Sequence, residues 1–402
     1  MGDNKDDLKV SLCLVMIVKD EEDTIENCID SVAKYIDHWV IVDTGSKDDT
    51  IAKIHEVMAK HNIPGTLYER PWVNFGHNRT ESLALAQGIC DYRFVMDADD
   101  TFESFVDNPF EGMDTTKDSY HLHLELAGIR YTRSMLMRSD QEWEYVGVLH
   151  EYPYPKSKVA PSTGYVEGCL VHAQISPLKR AKSVKDKYAH DAKVLEKALK
   201  DEPENNRYVF YLAQSYFDSQ QYKKAKLNYL KRSKMKGWEE EVYISLYRAA
   251  LCSLMLDEDY DATLKRFSLA WENRPFRLEA AYQIVKMLRQ DGRYVMAFTY
   301  ANMAMQNFLN YPHKDTLFYD VNVHEWMFLD EYCMAAYYVG QKELAKVNMD
   351  QFFATDMYLK VPDHEKQRLK KNYEFYSDAP KNQLHNPDDV DVEQTSADAG
   401  AV

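Results

Sequence analysis

VSLCLVMIV (10–18) and WVIVDT (39–44) decide the fold. Each is a continuous β-branched apolar run, the pattern of a strand buried on both faces. Between them Ile25, Cys28, Ile29, Val32, Ala33 and Ile36 recur at helical spacing. The alternation then continues. Gly45-Ser46-Lys47-Asp48-Asp49 is a turn in which Asp48 or Asp49 can cap a helix carrying Ile51, Ile54, Val57 and Met58. Pro64-Gly65 breaks that helix, and TLYER (66–70) reads as a third strand. Residues 79–87 read as a helix closed by Gly88, and YRFVMDAD (92–99) as a fourth strand. Strands separated by helices of this length imply βαβ units and a Rossmann-like, mostly parallel α/β sheet. In such sheets ligands bind at the carboxyl ends of the strands, where Asp43 and the acids of 97–99 stand.

Further on the texture changes. HLHLELA (121–127) alternates, and GYVEGCLVHAQI (164–175) is another strand candidate, so the sheet gains an antiparallel or mixed extension. After Pro177 the chain reads as helical to about Tyr376. Leu212, Ala213, Tyr216, Ala225 and Tyr229 fit the small and aromatic positions of a tetratricopeptide unit, with second-helix alanines following at Ala262, Ala297 and Ala345. A helical bundle without repeats is the alternative. The expected layout is a disordered N-terminus 1–9, an α/β domain 10–176, an all-α TPR-like domain 177–377 and an acidic disordered tail 378–402.

Charge narrows the partners. Residues 1–175 carry 16 Lys and Arg against 31 Asp and Glu, within a net charge of −16 for the chain. So acidic a lobe cannot hold nucleic acid by counterion release, and it accepts a small anion only through a metal or a few placed cations. No apolar stretch reaches the roughly 18 residues of a membrane span, and the polar, acidic first residues do not read as a signal peptide. The six cysteines are scattered without a CxxC pair, which gives neither a zinc knuckle nor a disulfide framework and points to the cytoplasm. Oligomeric state is not legible.

The sharpest chemical feature is Val95-Met96-Asp97-Ala98-Asp99-Asp100. Carboxylates two apart on a strand share a face. At a strand end Asp97 and Asp99 can grip one hard cation, Mn²⁺ or Mg²⁺, that bridges to a diphosphate. An Asp-rich solvated loop is the plain alternative. HExxH fails because residue 154 is Tyr, and no GxxxxGK[ST] is present, so zincin and P-loop readings are excluded. A nucleotidyltransferase would want a Gly-rich basic loop after the first strand, where KDEED stands.

Taken in order, KDEEDTIENCIDSV (19–32), WVIVDTGSKDDT (39–50) and the Asp97-Ala98-Asp99 triplet resemble family-2 glycosyltransferases of the GT-A fold. The likeness runs from about Ser11 to Asp100 and continues more loosely through GVLHEY (147–152) and GCLVHA (168–173). The layout is similar to the subgroup with C-terminal tetratricopeptide helices. The resemblance implies that Ile17, Val18 and Lys19 line a base pocket and that Asp43 accepts from the imide N–H of uracil; a turn-capping acid is the alternative for Asp43. It implies that Arg79 clamps a phosphate or fixes the acids, unless it is a surface ion pair. Asp97 and Ala98 would lie against the donor, and Asp99 would bind the metal most directly. His172 would close the metal site as a third ligand, or else sit at a domain junction bonded to backbone. Glu151 is the candidate base, since inverting transfer needs a carboxylate within reach of the acceptor proton. Its neighbour His150 could contact sugar or phosphate instead. Trp143 and Tyr145 could stack on a sugar or pack in the core. His121 and His123, on one strand face, read as solvent-facing.

The implied function is metal-dependent inverting transfer of a sugar from a nucleotide sugar, UDP-linked, to a protein or glycan acceptor. The alternative is a non-catalytic TPR interaction protein with a vestigial GT-A domain.

Overall fold

The computed structural model describes residues 10–174, 184–311 and 315–377. The expected disordered ends and the junction at 176/177 lie outside these residues. The chain divides into two compact units, residues 1–198 and 199–402. Among the described residues no helix is long and apolar enough to cross a membrane.

The first unit is α/β. Strands β1 (Leu12–Val18), β2 (His38–Asp43), β3 (Gly65–Glu69) and β4 (Tyr92–Val95) alternate with helices α1 (Ile25–Val32), α2 (Thr50–Lys60) and α3 (Phe75–Leu85). Seven more strands complete the sheets, β5 (Thr101–Ser104), β6 (Ser119–Leu126), β7 (Ile129–Arg138), β8 (Trp143–Val146), β9 (Tyr152–Pro155), β10 (Thr163–Tyr165) and β11 (Cys169–His172), and Ala33–Tyr35 is a short 3₁₀ turn between α1 and β2. The main sheet runs β3-β2-β1-β4-β7-β6-β11-β5, with β10 on β6; β8 and β9 form a separate hairpin. The first four strands are parallel, and β7 joins β4 antiparallel. Chain order reverses around β1, between β2 and β4, so the crevice of a doubly wound sheet opens at their carboxyl ends.

Alternate residues of β1 serve two cores. Leu12, Leu14 and Met16 pack with Ile25 and Ile29 of α1, whereas Cys13 and Val15 pack with Leu83 of α3 and with Ala86. Each such aliphatic side chain removed from water contributes about 1.5–3 kcal/mol, which is why β1 is apolar at every position.

Three local readings change, and a fourth, the cap of α2, is decided between its two candidates. The third helix begins at Phe75, earlier than residue 79, because Asn74 Oδ1 accepts the His77 N–H and caps it. The stretch read as one strand from Gly164 holds two, Thr163–Tyr165 and Cys169–His172, broken before Gly168, whose φ of +75° favours glycine. His121 and His123 are half-buried beside Tyr165, at ring centroid distances of 5.5 and 6.4 Å, and burial pushes both imidazoles below their ordinary pKa. Asp48 supports the start of α2, accepting from the Thr50 N–H.

The second unit is helical and repeats. Helix pairs Asn206–Asp218/Tyr222–Arg232, Glu239–Met255/Tyr260–Asn273, Leu278–Gln290/Tyr294–Asn310 and Phe328–Tyr338/Lys342–Phe353 follow one another. Each pair turns through one left-handed residue, Gln220, Asp257, Gly292 or Gly340. The fourth and eighth residues of each second helix are buried: Ala225 and Tyr229, Thr263 and Phe267, Ala297 and Ala301, Ala345 and Met349. Ala262 is therefore not the repeat position; Thr263 occupies it, and the sequence alone did not show this because a β-branched polar residue stands where alanine recurs.

Candidate active site

The site is built from strand ends. Val18 is buried, and its carbonyl accepts both the Thr44 N–H (2.9 Å) and the Thr44 hydroxyl (3.0 Å), tying the end of β1 to the end of β2. The exposed Lys19 leads into a loop stitched to the loop after β2. Asp20 N–H donates to Ser46 Oγ (3.0 Å), Glu21 N–H to Thr50 Oγ1 (2.8 Å), and Lys47 N–H to Asp20 Oδ1 (2.7 Å). Asp43, 2% exposed, accepts from Gly45 N–H (2.8 Å), Ser46 N–H (3.0 Å) and the Ser46 hydroxyl. A carboxylate has about four lone-pair positions. Asp43 thus holds its own turn first, and a nucleobase would compete with Ser46 for it.

Two arginines converge on the acids after β4. Arg79, from the second turn of α3, places Nη2 2.6 Å from Asp97 Oδ1 and Nη1 3.4 Å from Glu151 Oε1. Arg133, from β7, places Nη1 2.8 Å from Asp97 Oδ2 and Nη2 3.1 Å from Asp100 Oδ2. Both oxygens of Asp97 thus face guanidinium groups. Burial opposes the charge of each arginine, yet the acids, Asp97 foremost, hold both above the ordinary arginine value. Burial pushes Asp100 up to about 7, against the pull of Arg133. Asp99 is also buried. The Arg79 guanidinium lies 5.7 Å from the Phe75 ring and 5.6 Å from the Tyr145 ring, and its buried Nε meets no hydrogen-bond acceptor among the described residues.

Glu151 is carried by a tight loop. Gly147 has φ +116°, and a Cβ there would sit 3.4–3.5 Å from Leu149 O and the Glu151 backbone; His150 itself adopts φ +52°. A left-handed residue here closes the turn, as Gln220 and Asp257 do in the helical unit. The turn brings Glu151 inward to Arg79 and leaves His150 exposed.

Arg79, Asp97 and Glu151 are therefore brought together. His172 takes another course: its Nε2 lies 2.7 Å from Glu103 at a half-exposed strand edge. Among the described residues no three His, Cys, Asp or Glu side chains gather to hold a metal ion, so the expected three-ligand set of Asp97, Asp99 and His172 is not assembled. The donors still suit a hard cation, because Mg²⁺ is commonly held by one or two carboxylates with substrate phosphates completing its shell. Trp143 is core, its indole N–H bonded to Arg138 O (3.1 Å), and Tyr145 stands beside Arg79. Arg133 escaped the sequence reading: it reaches Asp97 from 36 residues downstream, and no local motif marks it.

Comparison with known proteins adds the following. The model of the family described as glycosyl transferase family 2 matches residues 13–105. A TPR repeat-containing protein of Synechococcus elongatus is 38% identical over 93 residues, 23% of this chain and 21% of the relative. The match therefore spans about a fifth of that relative's length. Among solved structures, MamA covers 49% of this chain and 99% of its own at 13% identity and TM-score 0.33. Staphylococcus aureus TarS 1–349 in complex with UDP covers 68% and 91% at 13% identity and TM-score 0.30. Scores this low describe a loose likeness only. The family-2 glycosyltransferase match thus lies within the N-terminal α/β unit, and the paired helices follow it in the chain.

Proposed function

We propose that the N-terminal unit is a metal-dependent inverting glycosyltransferase that moves a sugar from a UDP-sugar to a protein or glycan acceptor. The observation that carries this is Arg79, whose guanidinium links the acid after β4 to the candidate base, Asp97 to Glu151. In this reading Arg79 and Arg133 face the diphosphate as it gains charge and stabilise it as the leaving group. Glu151 accepts the proton of the acceptor nucleophile as that atom attacks the anomeric carbon, the bond from that carbon to the diphosphate oxygen breaks, and configuration inverts. Held on Asp97 and Asp99, Mn²⁺ or Mg²⁺ would neutralise diphosphate charge. Val18, Lys19 and Asp43 form the base side, and His150 the open side near the acceptor. The six free cysteines fit a reducing compartment such as the cytoplasm.

The test is UDP release from a panel of nucleotide sugars, with and without Mn²⁺, on the full chain and on Asp99→Ala. Release that requires Mn²⁺, together with UDP affinity that loses its Mn²⁺ response in Asp99→Ala, is the expected result. A response to GDP or CMP sugars alone removes the uridine assignment. No release with any sugar returns the chain to the interaction-protein alternative.

A further inference from the structure

The loop between β3 and α3 presents apolar side chains to water. Trp72 is 43% exposed, Val73 53% and Phe75 52%. Contiguous exposed apolar surface on a soluble protein marks an interaction site more often than an isolated residue does. This loop is also firmly built. Asn78 is fully buried, and its side chain serves the loop: Oδ1 accepts the Val73 N–H (2.9 Å) and Nδ2 donates to Pro71 O (3.1 Å). Asn74 caps α3 directly behind it. Trp72 and Phe75 meet edge to face with ring centroids 4.8 Å apart, which fixes both rings while leaving about half of each open. The hydrogen bonds of the loop and the contact between the rings thus hold both aromatic faces outward as one fixed ledge.

The ledge adjoins the reaction centre. Phe75 lies 5.7 Å from the Arg79 guanidinium, which reaches Glu151. On the other side, the start of α3 abuts the turn that carries Glu151: a Cβ on Gly76 would sit 3.6 Å from Tyr145 O and 3.9 Å from Gly147 O. Tyr152, next to Glu151, is also exposed. Aromatic faces beside a carboxylate and a guanidinium match one class of molecule closely. A pyranose ring has an apolar C–H face and a rim of hydroxyls. It can lie on an aromatic ring while its hydroxyls reach charged groups. An apolar peptide side chain would gain nothing from Arg79 or Glu151.

We propose that Trp72 and Phe75 form an acceptor subsite that holds the sugar ring of a saccharide acceptor against Glu151. This rests on the glycosyltransferase reading and narrows its acceptor to a glycan. Trp72 is surface-exposed, so its replacement leaves the fold intact, which circular dichroism verifies. The experiment is saturation-transfer NMR on the full chain with UDP and Mn²⁺ present. The probes are the methyl glycosides of glucose, galactose and N-acetylglucosamine. Expected is transfer to the C–H protons of at least one glycoside. Its affinity should fall about tenfold in Trp72→Ala and in Phe75→Ala, a stacking contribution near 1.4 kcal/mol, with UDP affinity unchanged in Trp72→Ala. UDP binding without any glycoside signal overturns the subsite alone. Loss of UDP binding in the wild type overturns the glycosyltransferase reading and the subsite with it. Weaker UDP binding in Trp72→Ala moves the ledge to the nucleobase, and binding of a Phe-containing tripeptide amide in place of glycosides moves it to a peptide. Either of those results also overturns the proposal.

Discussion

The two units use arginine in opposite ways. In the helical unit Arg232 meets Glu241 (2.9 Å), Arg277 meets Glu279 (2.5 Å) with Asp315 at 3.7 Å, and Arg289 meets Glu331 (2.8 Å), with each arginine and glutamate buried. In the α/β unit two arginines face three acids, Asp97, Asp100 and Glu151, and the group is partly open to water. A closed pair in low dielectric gives a fixed geometry and a large penalty if either partner is lost. An open cluster with unequal numbers can exchange partners, which is what a site for a diphosphate requires. Closed burial of charge therefore marks scaffold in one unit, and a shared, partly open cluster carries the proposed site in the other.

Mutations can break this contrast. The largest effect belongs to Glu151→Gln, which should slow transfer by about 10²–10⁴-fold while UDP affinity, measured by calorimetry, holds. Retained turnover removes Glu151 from its role. Next is Arg277→Met, which strips the buried Glu279 of its guanidinium, leaving it His324 (3.6 Å) and the Tyr243 hydroxyl (3.0 Å), and should cost about 3–5 kcal/mol in chemical denaturation. The double change Arg277→Met/Glu279→Leu should recover most of that, since apolar groups of similar volume replace such pairs well. Arg79→Met should lower the transfer rate by about 10²–10³-fold and leave the thermal midpoint nearly unmoved, because Asp97 keeps Arg133. A collapse of stability there would make Arg79 a scaffold residue like Arg277.

The smallest effect is a pH slope, and the helical unit holds both signs. Burial pushes Asp320 up to about 6, with Glu279 adding to it. The folded state then binds the proton more tightly than the unfolded chain, so this contribution is complete below pH about 4 and is lost as pH rises through about 6. Burial also opposes the charge on Glu279, but Arg277 outweighs it and holds that carboxyl down to about 2. Its contribution is present above the ordinary glutamate value and is lost as pH falls towards about 2. Asp320→Asn should flatten denaturation stability between pH about 4 and about 6 by on the order of 1–2 kcal/mol. An unchanged slope would show that Asp320 ionises normally.

Much of the α/β unit was legible because its signals are local. Continuous β-branched runs fix the parallel strands, and an acid at a strand end is visible wherever the strand is. The placement of Asp97 follows from such runs. The helical repeat was legible only in part, since Thr263 hides one of its positions.

By itself the sequence determined the buried strands, the helices between them and the acids at their ends, because periodicity and turn chemistry act over a few residues. Only the tertiary structure decided which charges meet. It brought Arg133 to Asp97 across the sheet, turned Glu151 inward on a left-handed His150, and sent His172 to Glu103. Those outcomes depend on strand order and register, which set distances between residues far apart in the chain and leave no trace in local spacing.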